Sequence, residues 1–278
     1  GILTIKARFI NDWKKLEKYT AEEWLISVAG KDVYKVVWEP LLIGKFGKYK
    51  DKVSAVWIWN KLKLRGGSRN KKGGESLAYF KGGFAALTTE LQKAIENNDV
   101  NIILTKSVNT IQYIDNKVIG VSLSDGKSIL CNKVISTVAL PIVAKIFDNS
   151  EFPANKENSL YKKKLNSIKY IGNVCLVLVL KKSLSDAYWT NVNDPDFPFV
   201  AIIEHTNLEP VSTYKDKHIV YLSKYLPVTD KLYTMTKEEL IEYSMPYITK
   251  MFPKFCQEWI VDSHLWKEAY SQPIVTCN

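Results

Sequence analysis

Cysteine, histidine and glycine signatures are thin in this chain of 278 residues, which holds four cysteines, three histidines and 13 glycines. Cys131, Cys175, Cys256 and Cys277 stand far apart with no Cys-x-x-Cys pair. That spacing excludes a zinc knuckle and a dithiol redox centre, and fits a reducing, cytoplasmic compartment. His205, His218 and His264 show no metal-ligand spacing, so no metal is expected and each histidine is read as satisfied by neighbours or exposed. The chain has no Gly-x-Gly-x-x-Gly after a strand, no Gly-x-Ser-x-Gly elbow, no His-Glu-x-x-His and no calcium loop. No complete active site can be assembled from such motifs. Long apolar runs are missing too. The longest, "YIGNVCLVLVLKK" from Tyr170, is too short to span a bilayer, and its β-branched content predicts a buried strand. Charge is present without blocks: 39 Lys and Arg against 29 Asp and Glu leave +10, spread among Asn and Ile. A solvated lysine-rich surface is the reading, and no nucleic-acid module accompanies it.

What is there is a globular composition, 46% hydrophobic and 12% aromatic, enough to bury a substantial core. The first 65 residues read as helical. "YTAEEWLISVAG" opens on Thr20 as N-cap with Glu23 three residues later, the reciprocal capping box, and stops at Gly30. "DKVSAVWIWNKLKLRGG" has Asp51 ahead of a second helix and Gly66 after it, and "VWEPLLIGKFGKY" between them reads as an apolar loop around Pro40. "RGGSRNKKGGES", 65–76, reads as a surface loop, because it lacks the order of a phosphate loop.

From residue 78 the pattern changes. "AYFKGGFAALTTELQKAIE" runs through Gly82 and Gly83 into a helix over 84–97, with Leu87, Leu91, Ala94 and Ile95 on one face, expected to pack on a sheet. "VNIIL" follows as a short strand, then a three-stranded meander with turns at Asp115-Asn116 and Asp125-Gly126, then "KVISTVAL" as a buried strand ending at Pro141. A charged helix over 155–165 and strands over 168–181, 199–204 and 218–225 come next. Thr236 and Glu239 form a second capping box for a helix over 237–251 with Pro246 inside it, and "EWIVDSHLWKEAYSQP" reads as a last strand. The carboxylate pairs Glu90/Glu96 and Asp194/Asp196 are read as a solvated helix face and a turn rather than as acid–base machinery.

The ordered series "YFKGGFAALTTEL", "VNIILTKSVNTI", "GVSLSDGKSILCNKVISTVALP" resembles the flavin-containing amine oxidase, protoporphyrinogen oxidase and phytoene desaturase superfamily, and "EEWL", "GKDVYKVVWEPLLIGKFG" and "WKEAYSQP" extend the likeness over nearly the whole chain. The resemblance implies an FAD-dependent oxidoreductase that removes hydride from a small apolar or amine substrate. It also implies that Gly82 and Gly83 form a turn from the substrate domain into the FAD domain. Val108, Thr137 and Ala139 would then lie near the cofactor, and Trp266, Tyr270 and Pro273 would face the flavin or the substrate cavity. The family's pyrophosphate loop is expected before Gly1 and its closing flavin segment after Asn278, so the resemblance implies a piece of a flavoenzyme, inactive alone, that binds FAD weakly or not at all.

The expected fold is α/β (α+β) with three stretches: 1–75 as the helical part of a substrate domain, 76–149 as a partial FAD-binding domain containing the meander, and 150–278 as the sheet part of the substrate domain, mixed or antiparallel. Aromatic-rich helices near 20–64 are expected to wall an apolar cavity. Catalytic residues and oligomeric state are not assigned. The alternative function is a non-catalytic interaction domain whose basic surface meets an acidic partner or, peripherally, a membrane face.

Overall fold

The computed structural model describes residues 2–65, 78–115 and 117–277. The stretch read as a surface loop lies outside these residues beyond Arg65, as do Gly66 and Asn116 of the first meander turn. In chain order the helices α1 (Ile2–Phe9), α2 (Ala21–Ala29), the single turn α3 (Lys31–Val33), α4 (Glu39–Phe46), α5 (Ala55–Arg65) and α6 (Gly83–Glu96) come first. Strands β1 (Val108–Ile114), β2 (Lys117–Leu123) and β3 (Ser128–Leu130) precede α7 (Leu140–Asn149) and α8 (Lys156–Ser167). Then follow β4 (Tyr170–Leu180), β5 (Trp189–Asn191), β6 (Ala201–Glu204), β7 (His218–Leu226), the short α9 (Lys231–Thr234), α10 (Lys237–Met251) and β8 (Ile260–Pro273). They divide into two compact units, one of Gly1–Tyr79 with Tyr170–Asn278, the other Phe80–Lys169. Residues 150–169, with α8, thus group with the meander.

Local chemistry sets the helix starts in the first unit. Thr20 Oγ1 accepts from Glu23 N at 3.2 Å and Glu23 Oε2 accepts from Thr20 N at 2.8 Å, so both orphan donors are satisfied before α2 begins. The second box, Thr236 with Glu239, starts α10 in the same way. At α5 the cap differs from the sequence reading: Ser54 Oγ accepts from Val56 N at 3.2 Å, whereas Asp51 sits one turn earlier in a 3-10 helix, Gly47–Lys52. The stretch read as an apolar loop is helical. A π-helical turn, Tyr34–Trp38, leads into α4, and Pro40 occupies its first turn, where a missing N–H costs nothing. Leu42 and Phe46, one turn apart on α4, join Leu25, Tyr34, Val53 and Ile58 in a helical core.

The sheet of this unit has the order β5-β6-β7-β4-β8, and every pair is antiparallel, which decides between the mixed and antiparallel arrangements left open by the sequence. β4 lies between β7 and β8. Its even-numbered residues Leu176, Leu178 and Leu180 pack with Val220 and Leu222 of β7 against Leu240 and Ile248 of α10. The odd-numbered residues point to the opposite face.

In the second unit the meander forms in the order β1-β2-β3. Gly120 is required there, since a Cβ on it would meet Ile129 O at 2.6 Å and Gln112 Oε1 at 2.8 Å. α7 packs on β1 and α8 on α7. Two expected strands are not strands. Residues 100–104 and 133–138 pair with nothing among the described residues, and Ile103 is 53% and Ile135 92% exposed. The first helix expected to pack on a sheet forms, but α6 buries none of its residues. Apolar sequence gives strand only where a neighbouring edge takes its N–H and C=O groups, and no described strand offers one to these segments. Pro141, expected to end a strand, instead stands in the first turn of α7.

Leu178, fully buried at the centre of β4, gives the test of this architecture. Leu178→Ala is expected to lose about 2–5 kcal/mol of stability in urea denaturation, the cost of a cavity that cannot collapse between two paired strands. A loss below about 1 kcal/mol would contradict the placement of β4 at the centre.

Candidate active site

The odd-numbered face of the five-stranded sheet carries a continuous row across all five strands. Trp266 pairs with Cys175, Cys175 with Ser223, Ser223 with Ala201, and Ala201 with Asn191. Directly opposed residues in antiparallel strands share a face, so these five side chains lie side by side. A parallel row runs His264, Val177, Tyr221, Ile203 and Trp189.

Over the β5-β6-β7 end of this face, α4 and α5 enclose a cavity of about 500 Å³. Helical spacing decides which of their residues reach it. On α4, Leu41 and Lys45 are one turn apart and line the cavity; on α5, Trp57 and Lys61 do the same. The sheet contributes Trp189, Ile203, Ser223 and Tyr225, and Trp38 at the end of the π-helical turn closes one wall. Apolar and aromatic surface dominates, with a few placed polar groups, the usual make-up of a small-molecule site.

The polar groups are mainly donors. Lys45 Nζ lies 3.5 Å from the centroid of the Tyr225 ring, a cation–π contact. Burial, with the like charge of Lys61 as a second cause, pushes the Lys45 ammonium down to about 8. Lys61 Nζ stands 5.9 Å from the Trp57 ring centroid. Burial of the Tyr225 phenol pushes it above its ordinary range. Ser223 Oγ accepts from Asn173 Nδ2 at 3.0 Å, which leaves its O–H to donate. Asn191 Oδ1 accepts from Trp189 Nε1 at 2.8 Å, which leaves its NH₂. Among the described residues no Asp or Glu lines the cavity.

A second cluster sits beyond it on the sheet. His205, buried, lies 2.7 Å from Tyr214 Oη through Nε2, and its ring meets Tyr79 and Tyr221 edge-on at 5.0 and 5.9 Å. Burial holds His205 below its ordinary pKa. Glu204, 1% exposed, receives Leu184 N and Ser185 N on Oε2, while Oε1 stands 3.4 Å from His218 Nδ1. His205 is thus held by Tyr214, whereas His218 Nδ1 and Glu204 Oε1 approach each other without a hydrogen bond. The exposed His264 stands 3.4 Å from Asp262. Among the described residues no cluster could hold a metal ion.

The residues singled out from the sequence fall elsewhere. Trp266 shares the cavity face of the sheet but is 68% exposed and does not line the cavity, nor do Tyr270 and Pro273 further along β8. Tyr270 meets the Tyr170 ring at 5.8 Å. Gly82 and Gly83, with φ of 85° and 78°, stand at the start of α6; Val108 opens β1; Thr137 is exposed, and Ala139 is the N-cap of α7. These five lie at three separate element ends in the second unit. The carboxylate pairs are the solvated groups expected: Glu90 bonds Lys93 at 2.7 Å, Glu96 accepts from Gln92 at 2.8 Å, and Asp194 caps its own turn through Asp196 N at 3.1 Å. Sequence reasoning missed Lys45 and Lys61: the α4 segment reads as a loop in sequence, and which face of each helix the sheet receives is not a local signal.

The sequence profile of the flavin-containing amine oxidoreductases matches residues 4–275. The chain belongs to that family. No curated protein matches it significantly. Among solved structures, a candidate protoporphyrinogen oxidase from Exiguobacterium sp. 255-15 has 15% identity and a TM-score of 0.68, over 93% of this chain and 56% of that one. A reduced UDP-galactopyranose mutase has 12% identity and a TM-score of 0.69, over 92% and 56%. A putrescine oxidase bound to putrescine has 13% identity and a TM-score of 0.59, over 95% and 57%. The likeness is one of fold, and the chain spans little more than half the length of these structures.

A flavin is the group that family membership implies, and the residues expected near it, Gly82, Gly83, Val108, Thr137 and Ala139, are spread over three element ends of the second unit. A Cβ built on Gly82 meets nothing nearer than Ala86 Cβ at 3.4 Å, ordinary contact, so that glycine serves its left-handed φ rather than a close approach. No glycine-rich strand-to-helix turn able to receive a dinucleotide pyrophosphate occurs among the described residues.

Lys45 supplies a test of the cavity's electrostatics. Its folded value, about 8, lies below the 10.5 of a free lysine. Between these values the unfolded chain holds more protons, so stability rises with pH there, and below the folded value the penalty of burying the charge is fully present. Lys45→Met is expected to be more stable than the parent at pH 7, with the gap in melting temperature closing as pH rises from about 8 to 10.5. A gap that stays constant or widens would contradict the burial of this ammonium.

Proposed function

We propose that this chain supplies the substrate-binding part of an FAD-dependent oxidoreductase that removes hydride from an apolar small molecule. The observation that carries the reading is the sheet-backed, aromatic-walled cavity of about 500 Å³ in a member of the flavin-containing amine oxidoreductase family. The role of the chain's own residues is to bind the apolar body against Trp38, Trp57 and Trp189 and to exclude water from it. The flavin, when bound, supplies the redox chemistry. Of the two substrate classes implied by the resemblance, the apolar one suits this lining. The four free cysteines are consistent with a cytoplasmic setting, and no helix among the described residues is long and apolar enough to cross a membrane.

Naphthalene is the simplest probe of the cavity, because three of its wall residues are tryptophans whose fluorescence a bound ring perturbs. Ala201→Phe, which fills the cavity from β6, is expected to weaken naphthalene binding by about tenfold or more, about 1.4 kcal/mol. Unchanged binding would show that the cavity is not the ligand site. The lack of a pyrophosphate-binding turn among the described residues gives a second expectation: FAD titrated into this chain and followed by flavin fluorescence binds weakly or not at all. A tight stoichiometric complex would overturn that part of the proposal.

A further inference from the structure

The reading of the cavity as a substrate site leaves open what the ligand carries besides its apolar body, and the polar groups that line it answer this together. We infer that the ligand of this cavity bears an anionic oxygen group, a carboxylate or its equivalent, which is received by Lys45 and Lys61, and that amines are excluded. The inference rests on the proposed role of the cavity.

Three observations carry it independently of one another. The first is charge: among the described residues two lysines line the cavity and no carboxylate does, so a cationic ligand would enter against two like charges with no described partner to offset its desolvation. The second is the state of Lys45. Its ammonium is half-buried, makes no salt bridge among the described residues, and is compensated only by the face of Tyr225 at 3.5 Å. By contrast Lys50, in the 3-10 helix after α4, has Glu39 at 3.1 Å. A buried ammonium held by a ring alone leaves its N–H donors open to an incoming acceptor. The third is hydrogen-bond direction. Asn191 Oδ1 accepts from Trp189 and Ser223 Oγ from Asn173, which leaves the Asn191 NH₂ and the Ser223 O–H as donors for an acceptor in the cavity, with Asn193 the remaining carboxamide of the lining. A site built of donors over aromatic walls fits a ligand that brings acceptors, with the charge set beside Lys45 and the apolar body along Trp57 and Trp189.

The test uses two probes of one shape and opposite charge, 2-naphthoate and 2-naphthylmethylammonium, titrated into the full chain at low salt with tryptophan fluorescence as the readout. Naphthoate is expected to bind at least about tenfold tighter than the ammonium. Lys45→Met should remove most of that preference, and Lys45→Arg, which keeps the charge, should retain it; far-UV circular dichroism of both variants establishes that they fold. Equal binding of the two ions, tighter binding of the ammonium, or a preference unchanged in Lys45→Met would overturn the inference while leaving the cavity as an apolar site. Binding of neither probe, with naphthalene also excluded, would overturn both the inference and the site on which it rests.

Discussion

The pairing of β4 on both of its edges is the constraint on which the first unit depends. Nine residues of β4 are in register with β7 and ten with β8, so almost every backbone group of the strand is satisfied before any side chain is considered. That leaves the side chains free to face two different environments. Leu176, Leu178 and Leu180 are sealed under α10, and Asn173, Cys175 and Val177 face the other way. Gly172 sits where a Cβ would come within 3.0 Å of Glu268 O and 3.1 Å of Leu226 O, so close backbone approach on both sides is part of the same arrangement.

The cavity follows from this two-sidedness. A sheet packed on one face alone must present its other face to something, and α4 and α5 cover only the β5-β6-β7 end of it. Their own core residues, Leu42 and Phe46 on α4 and Ile58 and Leu62 on α5, anchor both helices in the helical core. The next positions round each helix are thereby turned toward the sheet. Leu42, Ile58 and Leu62 line the cavity as well, so Lys45 and Lys61 set two ammonium groups among the apolar side chains of the same two helices. The short 3.5 Å contact of Lys45 with Tyr225 is the local compensation for that placement.

Much of this was legible in the sequence where the signal is local. Thr20 with Glu23 and Thr236 with Glu239 start the helices they were expected to start, because a capping box depends only on residues three apart. The apolar run from Tyr170 became a buried strand, and the meander closed at Asp125-Gly126 with Gly126 at positive φ. Errors arose where neighbours decide. Pro40 looked like a loop signal although it suits a first helical turn equally well, and Ile103 and Ile135 looked like strand residues although no described edge pairs with them. The candidate site was legible only in outline. Aromatic helices walling a cavity could be foreseen from composition, but the lysines could not be told from solvated ones, since that depends on which helix face the sheet receives.

Amide hydrogen exchange on the whole chain tests most directly the claim that a doubly paired β4 organises the molecule. The amides of 173–180 in β4 and of their β7 partners are expected to exchange last, and those of 100–104 and 133–138 to exchange at open-chain rates. Uniform protection along the chain, or slower exchange at 133–138 than in β4, would contradict it.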